Sequence, residues 1–225
     1  MPTSPVVGAV IFDMDGVLVN SEPLHERAFR ETLAELGYPD GAGLNFQDYV
    51  GRSDHELWED FARIHRPPVP VAALMARKRE RFLRLLASEQ PWYPGALWLV
   101  RTLHGRWPLG LASGSERPVI DAVLEGTGLR SCFQAILSGA EVPRGKPAPD
   151  IFLRTARFLG VPPERCWVIE DSLPGIAAAR AAGMFVIAVP NTHPRDALRN
   201  ADHVAADYFA IARLLGVEPE GVQGP

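Results

Sequence analysis

Hydrophobic positions along the chain follow two patterns, and the alternation between them predicts the fold. Short apolar runs rich in β-branched residues indicate strands that are buried on both faces. Such runs occupy residues 7–12, 108–112, 135–138, 166–169 and 185–189. Between them, apolar residues recur at helical spacing over residues 95–104, 116–126, 148–159 and 173–182. Strands that alternate with helices in this way predict an α/β fold with a parallel sheet covered by helices on both faces.

Residues 20–91 show a different pattern, because no strand-like run occurs between these positions. Helical spacing covers residues 22–36, 54–64 and 71–88. We therefore expect residues 20–91 to form a helical domain inserted directly after the first strand, with hinges at Asn20 and at residues 91–95. The remaining domain would comprise residues 1–19 and 92–217, and residues 218–225 are expected to be disordered.

The composition of the 225-residue chain is typical of a soluble protein, with 47% hydrophobic and 22% charged residues. A net charge of −4 argues against nucleic acid as a main partner. The chain contains no apolar run long enough to span a membrane, and its N-terminus lacks the basic region of a signal peptide. Cys132 and Cys166 lack the spacing of metal ligands and are expected to be reduced core residues. These features predict a cytoplasmic protein that binds neither a membrane nor nucleic acid.

The first predicted strand ends at a pair of carboxylates. Asp13 and Asp15 are separated by one residue, and Gly16 then allows the chain to turn. Carboxylates crowded together repel one another unless a cation is present, so the pair indicates a site for a hard metal ion. The alternative is a simple turn, since Asp-Gly is a common turn sequence.

Polar or charged residues also follow three later strands of the predicted sheet. These residues are Ser113, Gly114, Ser115, Lys146, Glu170 and Asp171. In open parallel sheets ligands bind beyond the carboxyl ends of the strands, so we expect these residues to lie near the carboxylates of the first strand. Local structural roles are the alternative: Ser113 would cap the helix from 116, Asp171 or Ser172 would cap the helix from 173, and Lys146 would be an ordinary loop lysine.

Taken in order, these four stretches resemble the motifs of the haloacid dehalogenase-like superfamily. The nearest branch comprises phosphatases and β-phosphoglucomutases with a helical cap inserted after the first strand, and the match covers residues 7–190. The resemblance implies a Rossmann-like parallel sheet flanked by helices, with an inserted α-helical cap domain. It also implies a Mg²⁺-dependent phosphatase that hydrolyses a small phosphomonoester, such as a sugar phosphate, through an aspartyl-phosphate.

The resemblance further implies roles for the acidic residues. Asp13 corresponds to the nucleophile, and Asp15 to the general acid that protonates the leaving oxygen and then activates water. Mg²⁺ would be held by Asp13, the backbone carbonyl of Asp15, and Asp171. Glu170 would bind the ion directly or through water.

Other residues of these motifs would bind the transferring phosphoryl group. Ser113 corresponds to a hydroxyl that donates to its oxygens, together with the backbone N–H of Gly114. Lys146 corresponds to the ammonium that neutralises charge on the phosphoryl group and on Asp13. Ser115 is also expected to bind substrate.

The inserted domain is expected to supply further substrate contacts. They are Arg52 and Ser53 in a loop, Lys78 within the basic run 77–81, and His25 on the first cap helix. For the basic run the alternative is a solvated helix face, and for His25 it is packing or capping.

Two other functions compete with that of a phosphatase. β-Phosphoglucomutases carry Arg shortly after the serine of the cap loop, whereas Asp54 follows Ser53 here, which favours the phosphatase. A non-catalytic metal-binding regulatory module is the other alternative, but such a module has no use for a nucleophile and an acid at this spacing. The expected partner is a small phosphorylated metabolite, and the protein is expected to be a monomer.

Overall fold

The computed structural model describes residues 6–49 and 54–218 of the chain. These residues separate into two units. The first comprises the described residues up to Val19 together with those from Trp92 onward, and the second comprises the described residues of Asn20–Pro91. Arg52 and Ser53 lie outside the described residues, as do residues 219–225 of the tail expected to be disordered over 218–225.

A parallel sheet, six-stranded over the described residues, forms the centre of the first unit. Its strands are β1 (Ala9–Phe12), β2 (Leu109–Ser113), β3 (Ala135–Ser138), β4 (Cys166–Glu170), β5 (Phe185–Ala188) and β6 (His203–Val204). Their order is β3-β2-β1-β4-β5-β6, and each neighbouring pair is parallel. The predicted α/β fold with a parallel sheet is therefore confirmed. The sequence pattern does not predict β6, because this strand contains only two residues.

Helices of the second unit are α1 (Glu22–Glu35), α2 (Asp54–His65) and α3 (Val71–Glu89). Those of the first unit are α4 (Pro94–Leu103), α5 (Arg117–Thr127), α6 (Asp150–Leu159), α7 (Leu173–Ala181) and α8 (Tyr208–Leu214). Proline in the first turn starts α4, α5 and α7, where its missing N–H costs no helical hydrogen bond. Among the described helices, none combines the length and apolar composition needed to cross a bilayer.

The register of the sheet brings the loops after β1, β2 and β4 to one edge. Phe12, the last residue of β1, pairs with Leu111 of β2 and with Ile169 of β4. All side chains of these three strands are buried, which explains why their sequences are mostly apolar. Polar residues can follow only where the strands end, and these positions lie together at what is called here the carboxyl edge of the sheet.

The second unit has a hydrophobic core of its own. Helix α3 packs against both α1 and α2. The buried core residues are largely aromatic or leucine: Phe29, Leu33, Phe46, Leu57, Trp58, Phe61 and Leu74. Two short 3-10 segments, Gly41–Gly43 and Phe46–Tyr49, connect α1 towards α2 and contribute Phe46 to this core.

Candidate active site

Three carboxylates meet at the carboxyl edge of the sheet. Asp13 directly follows β1, Glu170 is the last residue of β4, and Asp171 comes next. One carboxylate oxygen from each lies within 4.8 Å of the others. Their exposed fractions are 5%, 0% and 2%, respectively, so three acidic groups lie close together and away from bulk water.

Lys146 places a positive charge within this cluster. It lies in the loop between β3 and α6, and its Nζ donates to Asp13 Oδ1 and to Glu170 Oε1, at 2.7 Å in each case. The ammonium also lies 5.1 Å from the centre of the Phe152 ring. Burial alone would lower the pKa of Lys146. The Asp13 and Glu170 carboxylates outweigh burial and hold the pKa above its usual value. Lys146 therefore stays protonated while it contacts both acidic groups.

Burial and the neighbouring carboxylates raise the pKa values of Asp13 and Asp171. Burial has the largest effect and, together with Glu170 and Asp15, raises the pKa of Asp13 to about 7 although Lys146 opposes the shift. Burial, Glu170 and Asp13 likewise raise the pKa of Asp171. A divalent cation would neutralise this excess charge. Because carboxylate oxygens are the ligands that Mg²⁺ prefers, the donor set fits this ion.

Glu170 is held on both sides by protein groups. Oε1 accepts from Lys146, and Oε2 accepts from the backbone N–H groups of Asp171 and Ser172 at 2.8 Å. The Ser172 hydroxyl donates to the same Oε2 and caps α7 by accepting from Gly175 N, which is one of the alternatives left open by the sequence. A methyl group on Gly175 would overlap the Glu170 carboxylate. The orientation of this carboxylate is therefore fixed against the start of α7.

Two serines contact Asp15: Ser113, the last residue of β2, and Ser115, which follows this strand. Ser115 Oγ donates to Asp15 Oδ2 at 2.7 Å, and Ser113 Oγ donates to the same oxygen at 3.2 Å. Ser113 Oγ also accepts from the backbone N–H of Ser115, and Ser138 donates to the carbonyl of Ser115. The alternative in which Ser113 caps the next helix is wrong, since the N-cap of α5 is Glu116. Ser113, Ser115 and the connecting Gly114 thus form a loop held directly beside Asp15.

Comparison with known proteins identifies the family. A family model described as haloacid dehalogenase-like hydrolase matches residues 7–183, which is most of the chain. The chain belongs to this family of hydrolases. The resemblance inferred from the four separated motifs is therefore confirmed.

Curated relatives of this hydrolase include two phosphatases. Fructose-1-phosphate phosphatase YqaB of Escherichia coli is 34% identical over 80% of this chain and 95% of the relative. Hexitol phosphatase B of Escherichia coli is 35% identical over 96% of this chain and 100% of the relative.

Solved structures give the same family. CbbY from Rhodobacter sphaeroides in complex with phosphate has a TM-score of 0.78 and is 31% identical, over 90% of this chain and 95% of the other. β-Phosphoglucomutase from Clostridium difficile has a TM-score of 0.75 and is 25% identical, over 90% of this chain and 92% of the other. The branch named from the sequence is thus represented among the structural neighbours.

The second unit of the hydrolase contains a polar cluster around the buried side chain of Lys78. Lys78 Nζ donates to Asp54 Oδ2 at 2.6 Å and lies 2.5 Å from His25 Nδ1. The His25 ring stacks on Phe82, with 4.0 Å between ring centres. Because only 2% of Lys78 is exposed, the solvated-face alternative does not apply to this residue. The structure thus brings His25 and Lys78 together, whereas the predicted contacts Arg52 and Ser53 lie outside the described residues.

Two residues of the first unit that contact the candidate site are absent from the set predicted from the sequence. Thr192 donates to Asp171 Oδ2, and Asn191 Nδ2 donates to the carbonyl oxygen of Gly16 at 2.7 Å. Both follow β5, and the rule that ligands gather beyond the carboxyl ends of parallel strands applies to β5 as well. A search for polar residues after every predicted strand would have found them.

Proposed function

We propose that this hydrolase is a Mg²⁺-dependent phosphatase that hydrolyses a small phosphomonoester, such as a sugar phosphate, through an aspartyl-phosphate on Asp13. The observation that carries the proposal is the buried cluster of Asp13, Glu170 and Asp171 around the Lys146 ammonium. The names of the fructose-1-phosphate and hexitol phosphatases support the substrate class.

Asp13, Asp171 and the backbone carbonyl of Asp15 would hold the ion, with Glu170 beside them. When bound, Mg²⁺ supplies positive charge that lets an anionic phosphoryl group approach a carboxylate. Glu170 already accepts hydrogen bonds at both oxygens, and this supports a contact through water over direct ligation. Its main contribution would then be to orient Lys146.

Asp13 would attack phosphorus and form the covalent intermediate. Lys146 holds Asp13 Oδ1 and would also neutralise charge on the phosphoryl oxygens. The Ser113 hydroxyl and the Gly114 N–H would donate to the same group, with Ser115 nearby. These contacts would strengthen as charge develops during transfer.

Asp15 would protonate the leaving oxygen and then deprotonate the water that hydrolyses the intermediate. Ser113 and Ser115 both donate to its Oδ2, which fixes the orientation of the side chain. The partners of the two carboxylates support these different roles. Asp13, the nucleophile, contacts the Lys146 ammonium, whereas Asp15, the general acid, accepts from serine hydroxyls.

The test is release of inorganic phosphate from a panel of phosphomonoesters, comprising an aryl phosphate, fructose 1-phosphate, hexitol phosphates and both glucose 1-phosphate anomers. We expect activity that requires Mg²⁺ and is lost in EDTA, and we expect Asp13→Asn to be inactive on every compound. Activity that survives exhaustive chelation would contradict the metal role, and an inert wild type on the whole panel would contradict the phosphatase assignment.

A phosphomutase is the second candidate, because β-phosphoglucomutase is among the structural neighbours. Asp54, which follows the predicted cap loop, is ion-paired with Lys78, so the positive charge available for a second phosphate is offset. This pair supports the phosphatase. Incubation of β-glucose 1-phosphate with a catalytic amount of glucose 1,6-bisphosphate distinguishes the two, since a mutase yields glucose 6-phosphate rather than free phosphate.

We further propose that residues 20–91 act as a cap domain that influences substrate choice through Arg52, Ser53, Lys78 and His25. The domain carrying the chemistry would comprise residues 1–19 and 92–217. Location in the cytoplasm, a monomeric state and the lack of nucleic acid or membrane partners remain predictions.

A further inference from the structure

Two polar side chains in the loop after β5 contact both acidic loops of the site. Asn191 and Thr192 lie a few residues beyond Ala188, the last residue of β5, at the carboxyl edge of the sheet. Neither residue belongs to the motifs that carry the family resemblance. Their contacts nevertheless reach the loop after β1 and the loop after β4.

Thr192 fixes the carboxylate of Asp171. Its hydroxyl donates to Oδ2 of Asp171, whose side chain is buried. A methyl group on Gly16 would overlap the same oxygen and would lie 2.7 Å from Thr192 Oγ1. Glycine at this position therefore lets the turn after β1 lie directly against Asp171 and Thr192. Held on one side by a hydroxyl and on the other by backbone, the carboxylate has little freedom to rotate.

Asn191 fixes the turn itself. Its Nδ2 donates to the Gly16 carbonyl and to the Tyr208 hydroxyl, at 2.7 Å in both cases. The Tyr208 hydroxyl in turn donates to the Val17 carbonyl at 2.6 Å. The Tyr208 hydroxyl accepts one hydrogen bond and donates the other, so a single proton position on this hydroxyl satisfies both bonds. Because Asp13 lies just before this turn, the network also constrains where its carboxylate lies.

We propose that Thr192 and Asn191 are positioning residues that hold the acidic loops after β1 and β4 in the arrangement that binds Mg²⁺. The proposal rests on the cation site of the proposed function. Thr192 acts through the orientation of Asp171, and Asn191 acts through the backbone of residues 16–17. Partners that contact a metal ligand rather than the ion commonly change metal affinity by about 10- to 100-fold when they are lost.

The test compares Thr192→Val, which keeps the shape of the side chain without its hydroxyl, with Thr192→Ser, which keeps the hydroxyl. Mg²⁺ affinity is measured by isothermal titration calorimetry on the full chain without substrate, and Tm in EDTA establishes that each variant folds. Thr155→Val is the matched control, because Thr155 is a threonine of the same unit whose buried hydroxyl donates to the Ile151 carbonyl within α6.

We expect Thr192→Val to weaken Mg²⁺ binding by about tenfold, and Thr192→Ser and Thr155→Val to stay within about twofold of the wild type. In the assay, the Mg²⁺ concentration for half-maximal activity should rise for Thr192→Val, while activity at saturating Mg²⁺ recovers. Because Mg²⁺ also stabilises the folded state, the Tm measured in EDTA separates a loss of folded protein from a loss of Mg²⁺ affinity. Equal Mg²⁺ affinity of Thr192→Val and wild type would overturn the proposal and leave the proposed function intact.

Asn191→Ala is the second variant and keeps the proposal testable if Thr192→Val does not fold. We expect it to weaken Mg²⁺ binding as well, since the Gly16 carbonyl loses its donor and the turn after β1 loses a restraint. Unchanged Mg²⁺ affinity in this variant would overturn the part of the proposal that concerns Asn191. If the wild type itself binds no Mg²⁺, the proposed function fails and the proposal fails with it.

Discussion

At the scale of single residues, the site concentrates buried charge that folding alone would not favour. Asp13 and Asp171 have raised pKa values because burial and neighbouring carboxylates penalise their ionised forms. Glu170 lies beside them and accepts from Lys146 and from the backbone N–H groups of Asp171 and Ser172. Bringing these carboxylates together costs free energy, and a bound cation would offset that cost. A cluster of this kind is therefore suited to bind a cation.

Asp13→Asn should therefore stabilise the metal-free protein while abolishing turnover. The amide removes one negative charge but keeps an oxygen for Lys146, so we expect Tm in EDTA to rise by about 2–4 °C, equivalent to ~1 kcal/mol for a chain of this size. Differential scanning calorimetry measures the shift, and an aryl phosphate assay measures turnover. A Tm below that of the wild type would contradict the electrostatic argument, and appreciable residual turnover would contradict the role of nucleophile.

Asp15→Asn should slow the reaction most where the leaving group is poorest. Ser113 and Ser115 can still donate to the amide oxygen, so the variant should bind substrate with little change. We expect kcat to fall by about 100-fold or more for alkyl phosphates, and much less for an aryl phosphate with an acidic leaving group. A series of esters graded by leaving-group pKa measures this dependence. A uniform loss across the series would show that Asp15 is not the general acid.

At the scale of elements, Glu141 ties the short helical turn Gly139–Glu141 to α5. Its Oε1 accepts from Arg117 at 2.5 Å, and its Oε2 accepts from the backbone N–H of Ser138 at 3.0 Å. Burial acts to raise the pKa of Glu141, but these two donors outweigh burial and hold the pKa below its ordinary value of 4.5. The contacts should therefore stabilise the fold only while Glu141 is ionised.

This shift predicts a pH dependence of stability. A pKa lowered by folding stabilises the protein above the ordinary value and loses this effect as pH falls through the lowered value. We expect Glu141→Gln to lower the urea midpoint slightly at pH 7, and we expect the two proteins to converge as the pH approaches 3. Urea unfolding at several pH values checks this. A difference between the two proteins that grows towards acid would reverse the sign and contradict the prediction.

At the scale of the whole molecule, the alternation of apolar runs and helical spacing is sufficient to predict the parallel sheet. The predicted and observed bounds of the five main strands agree within about two residues, because buried strands leave a continuous apolar signal. Strand β6 and helix α8 give weaker signals. Strand β6 contains two residues. Helix α8 spans seven residues, and the side chain of Asp207, which precedes it, caps the helix by accepting from Ala210 N.

The site could be predicted only in part from the sequence. Residues directly after strands could be brought together, because parallel strands all end at one edge. The orientations of side chains could not: that Ser115 donates to Asp15, or that Lys78 is enclosed by Asp54 and His25, depends on packing that no spacing rule encodes. Thr192 combines both situations. Its position after a strand could be predicted, whereas its hydrogen bond to Asp171 could not.

The ends of the first unit at the insertion lie side by side, so removal of residues 20–91 should leave this unit folded. Val19 forms a bridge with Trp92, and Tyr93 N donates to the Leu18 carbonyl at 3.0 Å. We expect a short Gly-Ser linker between Val19 and Trp92 to give a protein with one cooperative thermal transition and Mg²⁺-dependent stabilisation. Calorimetry with and without Mg²⁺ tests this against the full chain. Loss of the cooperative transition would show that the first unit needs the insertion in order to fold.

The contact between Gly175 and Glu170 limits how this protein can be made more thermostable. Replacing glycine with alanine inside a helix commonly stabilises a protein by about 0.5–1 kcal/mol, which makes such positions attractive to protein engineers. In α7 the volume that the alanine methyl would occupy is already filled by the Glu170 carboxylate. The helix thus forgoes intrinsic helix propensity so that the Glu170 carboxylate can lie against its first turn. Libraries selected for heat resistance should consequently retain glycine at 175 for as long as glutamate is retained at 170.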